Sequence, residues 1–419
     1  MPPVMVTAAV PLHESAEPLG DLSLITYNVL LPNSGDGWWV FKYYDETTPD
    51  AARTWAHRQA LLSETLLTAR ADIVCIQEAS GATFAEDFGF MTVAGYDAAL
   101  HRKYRLRPAT FWRRGAFRCI HTSHRDKVLI TVLRSVTEPT RIVSVLNGHL
   151  TAAPQPERRF RQVFDALDQL RKDLKRLQIP PESAAVVVCG DFNAAPADSA
   201  THHLLTGGTV DAEFREPRWP DRRLSSKPRR HIFAPFSEVY QEALGAPPVT
   251  LLGSRIAGTL DALGAPTAAL MSSIEALFDR FARASDRMTW AEVEAWLCAI
   301  NRAPDRGSEH RKARAIVEEK GTDWLSREAW IGIYASELAE GKFWSVLHDL
   351  QVCGVQPPGA RVLYEASLDR IYASGLTIRA AWDPLTPTRR AALLGGGIGL
   401  PNAWHPSDHL PLGAVLSWS

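Results

Sequence analysis

Asp191 and Asn193, two positions apart near the middle of the chain, are the side chains best placed for chemistry. A carboxylate and a carboxamide at i and i+2 of an extended backbone lie on the same side. They can therefore share one metal ion, one phosphate or one attacking water. The same Asp-Phe-Asn also fits an ordinary strand-to-loop turn with an Asx cap. Matching polar residues elsewhere favour the chemical reading. Asn28 ends the run LSLITYN, Glu78 follows IVCIQ, and His149 closes RIVSVLNGH. Asp369 lies in a short apolar stretch, and Asp408 and His409 precede the last one. The set is rich in hard oxygen donors, with two histidines and no cysteine, so it suits Mg²⁺ or Mn²⁺ better than Zn²⁺.

The elements that must position these groups are short apolar runs. Val186 to Cys189 leave no room for a polar face, which is the pattern of a strand buried on both sides. That strand delivers Gly190, Asp191 and Asn193 at its tip, and Pro196 ends regular structure soon after. Residues 22–30, 71–80 and 141–150 read the same way. Helical spacing puts Trp55, Leu62, Leu66 and Leu67 on one stripe, with Arg58 elsewhere on that helix, and buries Phe160, Val163, Leu167 and Leu170 in a second. Residues 109–117 and 127–135 read as a hairpin-like pair. Cations crowd this region, Arg113 and Arg125 among them, interleaved with Tyr104, Phe111 and Trp112. That mixture suits a polyanion with stackable groups, and the two arginines are candidates for binding substrate. A solvated strand face is the alternative.

A length of 419 residues exceeds the usual single domain. From 268 to 350 strand-like runs give way to helical stripes, which predicts a helical insertion over 266–352 between two parts of one larger domain, 21–265 and 353–419. Residues 1–20 carry no basic region and read as a disordered lead-in. No continuous apolar run reaches about 18 residues, so no membrane span is expected. The five cysteines are far apart and lack zinc-site spacing, which favours a reducing compartment such as the cytoplasm. A net charge of −1 excludes a wholly basic nucleic-acid coat protein but not a local basic cleft.

In order, TYNVL, IVCIQE, NGHL, CGDFN, LDRIYASGL and PSDHLPL resemble the motifs of the endonuclease/exonuclease/phosphatase superfamily, with a lean towards its deadenylase-like branch. The resemblance spans about 22–260 and 360–419. It implies an α/β fold, a four-layer sandwich of two packed mixed β-sheets flanked by helices, with the active site at one end. It also implies roles. Glu78 is the principal metal carboxylate, with Asn28 and Asp408 near the same ion. Asp191 orients or deprotonates the attacking water, helped by Asn193. His409, backed by Asp369, contacts the phosphoryl group, and His149 is a second phosphate contact. The expected activity is metal-dependent phosphodiester hydrolysis on nucleic acid or a nucleotide-containing ester. A lipid or inositol phosphate is the alternative substrate, and a non-catalytic binding protein the alternative of another class. The chain departs from that branch in the Gly148 of its Asn-Gly-His-Leu and in Arg370. The helical insertion faintly resembles a pair of EF-hands, with loops at 281–292 and 318–329. Phe281, Arg283, Ser285 and Ala329 stand where oxygen ligands belong, so bound Ca²⁺ is not expected.

Overall fold

The computed structural model describes residues 21–32, 35–152, 155–194, 198–261, 265–385, 387–396 and 399–418. The expected lead-in over 1–20 and the stop at Pro196 lie outside the described residues.

In chain order, β1 (Asp21–Asn28), β2 (Ile73–Ser80), β3 (Tyr96–Leu100) and β4 (Leu106–Arg113) belong to one sheet. A second sheet takes β5 (Phe117–Arg125), β6 (Val128–Ser135), β7 (Ile142–His149), β8 (Ala185–Asp191) and β9 (Ser237–Glu238). A separate hairpin pairs β10 (Leu251–Ile256) with β11 (Arg361–Ala366). Then β12 (Asp369–Ser374) rejoins the second sheet, and β13 (Leu376–Trp382) and β14 (Leu412–Trp418) the first. The orders are β13-β14-β1-β2-β4-β3 and β9-β12-β8-β7-β6-β5. Both sheets are mixed, since β1 runs parallel to β2 and β7 to β8 while their other neighbours are antiparallel.

Strand alternation explains four layers. Leu24, Ile73, Cys75, Val187 and Cys189 point into the core between the sheets. Their neighbours Ile25, Val74 and Ile76 face outward beneath helix α1 (Trp55–Thr68). Val186 and Val188 face outward beneath α2 (Pro156–Arg176), which turns Phe160, Val163, Leu167 and Leu170 to meet them. Runs that are apolar at every position therefore cover both faces of each sheet. Thr54 starts α1 by accepting a hydrogen bond from the His57 N–H.

Two expectations change. The 109–117 and 127–135 runs do not pair with each other. β4 pairs with β2 in the first sheet, whereas β6 pairs with β5 in the second, so the chain changes sheets near Arg114–Ala116. Arg58 is fully buried on the inner side of α1. Its guanidinium donates to the backbone carbonyls of Val29, Leu30, Leu31 and Pro406.

Between β10 and β11 the described residues form five helices: α3 (Ala268–Phe281), α4 (Trp290–Asn301), α5 (Gly307–Lys320), α6 (Arg327–Ala339) and α7 (Phe343–Val352). They enclose a core of their own around Leu277, Trp296, Trp330 and Tyr334. The insertion is not wholly helical. Arg287–Thr289 and Trp324–Ser326 form an antiparallel pair with Met288 opposite Leu325, which joins two helix–loop–helix units through their loops. Glu292 is committed within its unit, accepting from the backbone N–H groups of Arg283 and Thr289.

Candidate active site

One end of the sandwich gathers side chains from both sheets. β8 carries Asp191 to its last position, and the parallel pairing with β7 sets His149 beside it. Antiparallel pairing with β12 places Asp369 opposite Asp191. Across the core, β1 ends on Asn28, and β2 is interrupted by a register shift between Ile76 and Ala79. Glu78 sits in that irregularity with a left-handed φ of 68°. Such a bulge re-aims a side chain at the cost of local strain, a common device at functional sites. Gly190 is required for a related reason. Its φ is 123°, and a Cβ would overlap the carbonyl oxygen of residue 148.

The contacts are direct. Asn28 Nδ2 donates to Glu78 Oε1 at 3.2 Å and to Asp191 Oδ2 at 3.1 Å. Its Oδ1 accepts from the Leu30 N–H, which fixes the amide so that its nitrogen faces the carboxylates. Asn28 thus bridges Glu78 and Asp191 through its amide nitrogen. Asn193 donates to Asp191 through its backbone N–H at 2.8 Å and its side chain at 3.1 Å. His149 Nε2 lies 3.6 Å from both Glu78 Oε1 and Asp191 Oδ2. His409 Nδ1 is 2.7 Å from Asp369 Oδ2, and its Nε2 is 4.0 Å from Asp191 Oδ2. Asp408 lines the same cavity of about 450 Å³.

The surroundings split these groups. Burial raises Asp191, and Asp369 adds to it against the opposing His409, His149 and Asn193 N–H. Burial also drives Asp408 up to about 6, with Glu78 and Asp191 adding to it against His409. For Glu78 burial is outweighed by His149, the Leu31 N–H and the Asn28 amide, which leaves its carboxyl below the ordinary value. The histidines part in opposite directions. Burial lowers His149 despite Glu78 and Asp191, whereas Asp369, Asp408 and Asp191 overcome burial and hold His409 well above the usual imidazole value. The two imidazoles are thus pushed apart in basicity, the condition for distinct roles in proton transfer and charge stabilisation.

Glu78, Asp191 and Asp408 share one side-chain cluster on this cavity, and such a concentration of carboxylates calls for positive charge. Among the described residues no three His, Cys, Asp or Glu side chains converge into a metal cage. Mg²⁺ is ordinarily held by one or two carboxylates plus water and substrate oxygens. Glu78 and Asp408, two carboxylates on one cavity, are donors of the type that mode uses.

Support comes from beneath and around. Gln77 and Asn147, both fully buried, join the sheets through a 2.8 Å hydrogen bond. Thr250 Oγ1 accepts from the N–H groups of Leu368 and Asp369. Ser407 Oγ donates to the Asn28 carbonyl at 2.6 Å and accepts from the His409 N–H. Arg370 faces away, its guanidinium bound to Ser367 and the Asp369 carbonyl.

The two candidate arginines do not join the cluster. β4 runs antiparallel to β2, so Arg113 lies at the opposite end of the sheet, against Asp72 and the Tyr96 ring. Arg125 is at the correct end but on the edge strand, where it donates to Gln169 and lines a separate depression with His101 to Tyr104. Of the cations that line the cavity, Lys127 lies beside the carboxylates: its carbonyl accepts from the His149 N–H and its ammonium feels Asp191 and Glu78. It forms no ion pair with another described residue. Its sequence neighbourhood contains many cations, and the β6–β7 register alone distinguishes it.

The chain is 24% identical over 240 residues to mouse 2′,5′-phosphodiesterase 12, covering 49% of this chain and 38% of the relative. It is 26% identical over 205 residues to the Candida albicans CCR4-Not complex 3′-5′-exoribonuclease subunit Ccr4, covering 38% of this chain and 26% of that protein. These alignments span well under half of either relative. Among solved structures, ANGEL2, described as a 2′,3′-cyclic phosphatase, superposes with a TM-score of 0.57 at 17% identity, covering 95% of each chain, which shows a shared fold. The family model of the Endonuclease/Exonuclease/phosphatase family matches residues 25–409, and the chain belongs to that family.

Proposed function

We propose that the protein hydrolyses phosphodiester bonds in nucleic acid or a nucleotide-containing substrate, with Mg²⁺ or Mn²⁺ held by Glu78 and Asp408. The observation that carries this reading is the meeting of Glu78, Asp191, Asp408, His149 and His409 in one cavity. The names of the curated relatives, an exoribonuclease subunit and a 2′,5′-phosphodiesterase, favour a ribonucleotide linkage.

Asp191 takes the proton of the attacking water. Its raised carboxyl is a better base than a free aspartate, and Asn28 and Asn193 fix its direction. Charged His409, held by Asp369, donates to a phosphoryl oxygen. Neutral His149 and Lys127 border the same space and bind the phosphate from the other side. A divalent cation held by Glu78 and Asp408 would supply positive charge against the phosphoryl oxygens and leaving group. No step requires a covalent enzyme intermediate.

The test is a substrate panel with purified protein and Mg²⁺: 2′,5′- and 3′,5′-oligoadenylate, single-stranded DNA, bis-p-nitrophenyl phosphate and inositol phosphates. Oligoadenylate cleavage that stops with EDTA and in Asp191→Asn is expected. Wild-type protein that cleaves no phosphodiester, or only inositol phosphates, overturns the assignment.

A further inference from the structure

The cavity that holds the carboxylates is not walled by the sandwich alone. Lys342, Trp344, Leu347 and Gln351 of the helical insertion line its far side, together with Trp39 and Tyr43 from the segment after β1. Trp344 stacks on Tyr43 with ring centroids 4.0 Å apart and planes at 20°, and Trp39 lies 5.6 Å from Trp344. All three rings remain partly exposed. Tyr43 is close to the reacting end, since Asp408 and Glu78 add to burial in raising its hydroxyl.

This wall is fixed in place. Lys42, buried beside Tyr43, sets its ammonium 3.0 Å from Asp349 and 3.6 Å from Glu309, one on α7 and one on α5. It also donates to Ser345. Phe41 meets His348 edge-on at 5.4 Å. A charged pair with little solvent access keeps partners in register, so the insertion is clamped to the segment that borders the catalytic groups.

We propose that the insertion supplies a nucleobase subsite: the Trp344, Tyr43 and Trp39 cluster receives the heteroaromatic base of the nucleoside attached to the scissile phosphate. Stacking on exposed aromatic rings is the usual way to bind a base without reading its sequence. Rings beside a phosphate-activating centre suit a base joined to a phosphate better than a polyol phosphate, which has no π-face. This inference rests on the phosphodiesterase reading above.

The experiment compares adenylyl-adenosine with analogues in which one or the other adenine is replaced by hydrogen, in wild-type, Trp344→Ala and Trp344→Phe protein with Mg²⁺. In wild type one abasic analogue is expected to show a raised KM. Trp344→Ala should raise KM for adenylyl-adenosine about tenfold or more, leave that analogue unchanged, and be largely rescued by Trp344→Phe. Equal wild-type KM values for all three substrates, or an equal rise in the variant on every one, overturns the subsite while leaving the hydrolase reading intact. Inactivity of wild-type protein on all of them defeats the hydrolase reading and this inference with it. If Trp344→Ala fails to fold, calorimetry on wild-type protein decides. Adenosine 5′-monophosphate should bind more tightly than ribose 5-phosphate, and equal affinities overturn the subsite.

Discussion

His409 Nδ1 and Asp369 Oδ2 lie 2.7 Å apart, and the bond between them joins the two sheets at the catalytic end. Asp369 begins β12 in one sheet, and His409 lies just before β14 in the other. The carboxylate sets which imidazole nitrogen carries its proton toward Asp369 and leaves Nε2 to face Asp191. Asp369→Asn keeps the shape and removes the charge. Its kcat should fall about 100-fold or more, in the range of a lost acid–base or charge-stabilising group, with KM within a few-fold and a lowered melting temperature, because the buried imidazole loses its counter-charge. Steady-state kinetics beside a melting curve make the check, and an unchanged kcat rejects the role.

Lys127 gives a second prediction because Asp191 and Glu78 are the anions that act on it most strongly, ahead of Asp126. A charge-assisted hydrogen bond contributes about 1.5–3 kcal/mol. Lys127→Ala should therefore raise KM roughly ten-fold to a hundred-fold, and Lys127→Arg should recover part of it. Arg113→Ala, at the opposite end of the sheet, should leave KM unaltered. Similar effects from Lys127→Ala and Arg113→Ala contradict this assignment.

Arg58 carries a third. Its guanidinium holds four backbone carbonyls, three after Asn28 and one just before Ser407 and Asp408. Leucine fills the space but leaves those acceptors unpaired, at about 1–3 kcal/mol for each one that water does not reach. Arg58→Leu should lose several kcal/mol by denaturant unfolding and much of its activity, because Asn28 and Asp408 are no longer held in place. Full stability would mean that the loops find other donors.

The polar positions at Asp191, Glu78 and Asp369 were legible in the sequence because carboxylates beside apolar runs buried on both faces are costly to bury alone. Arg58 was not. It falls at i+3 from Trp55 and i−4 from Leu62 and so lies on the buried stripe, but a guanidinium argues against burial until the carbonyls around it are known. The choice among cations failed for a different reason. Whether Arg113, Arg125 or Lys127 reaches the site depends on strand direction and on which strand is the edge, and a single strand's pattern carries neither. The helical insertion shows as a change of period, whereas its contact with the cleft runs through Phe41, Tyr43 and one buried lysine, Lys42, in a segment whose sequence pattern names no partner.

That lysine supports the last prediction. Lys42 faces Asp349 and Glu309 with almost no solvent access on either side. Removing one partner of a buried pair leaves the other charge uncompensated, at about 3–5 kcal/mol. Lys42→Met should lower stability by that order. Adding Asp349→Leu should return part of it, because the stranded carboxylate is gone. If the insertion is clamped through this pair, Lys42→Met should also raise KM for a nucleotide ester more than it lowers kcat, since Glu78, Asp191 and His409 do not touch it. A double-mutant cycle in urea, with kinetics on the same four proteins, measures both effects. Additive stability losses, or a kcat effect without a KM effect, would show that Lys42 does not hold the insertion against the cleft.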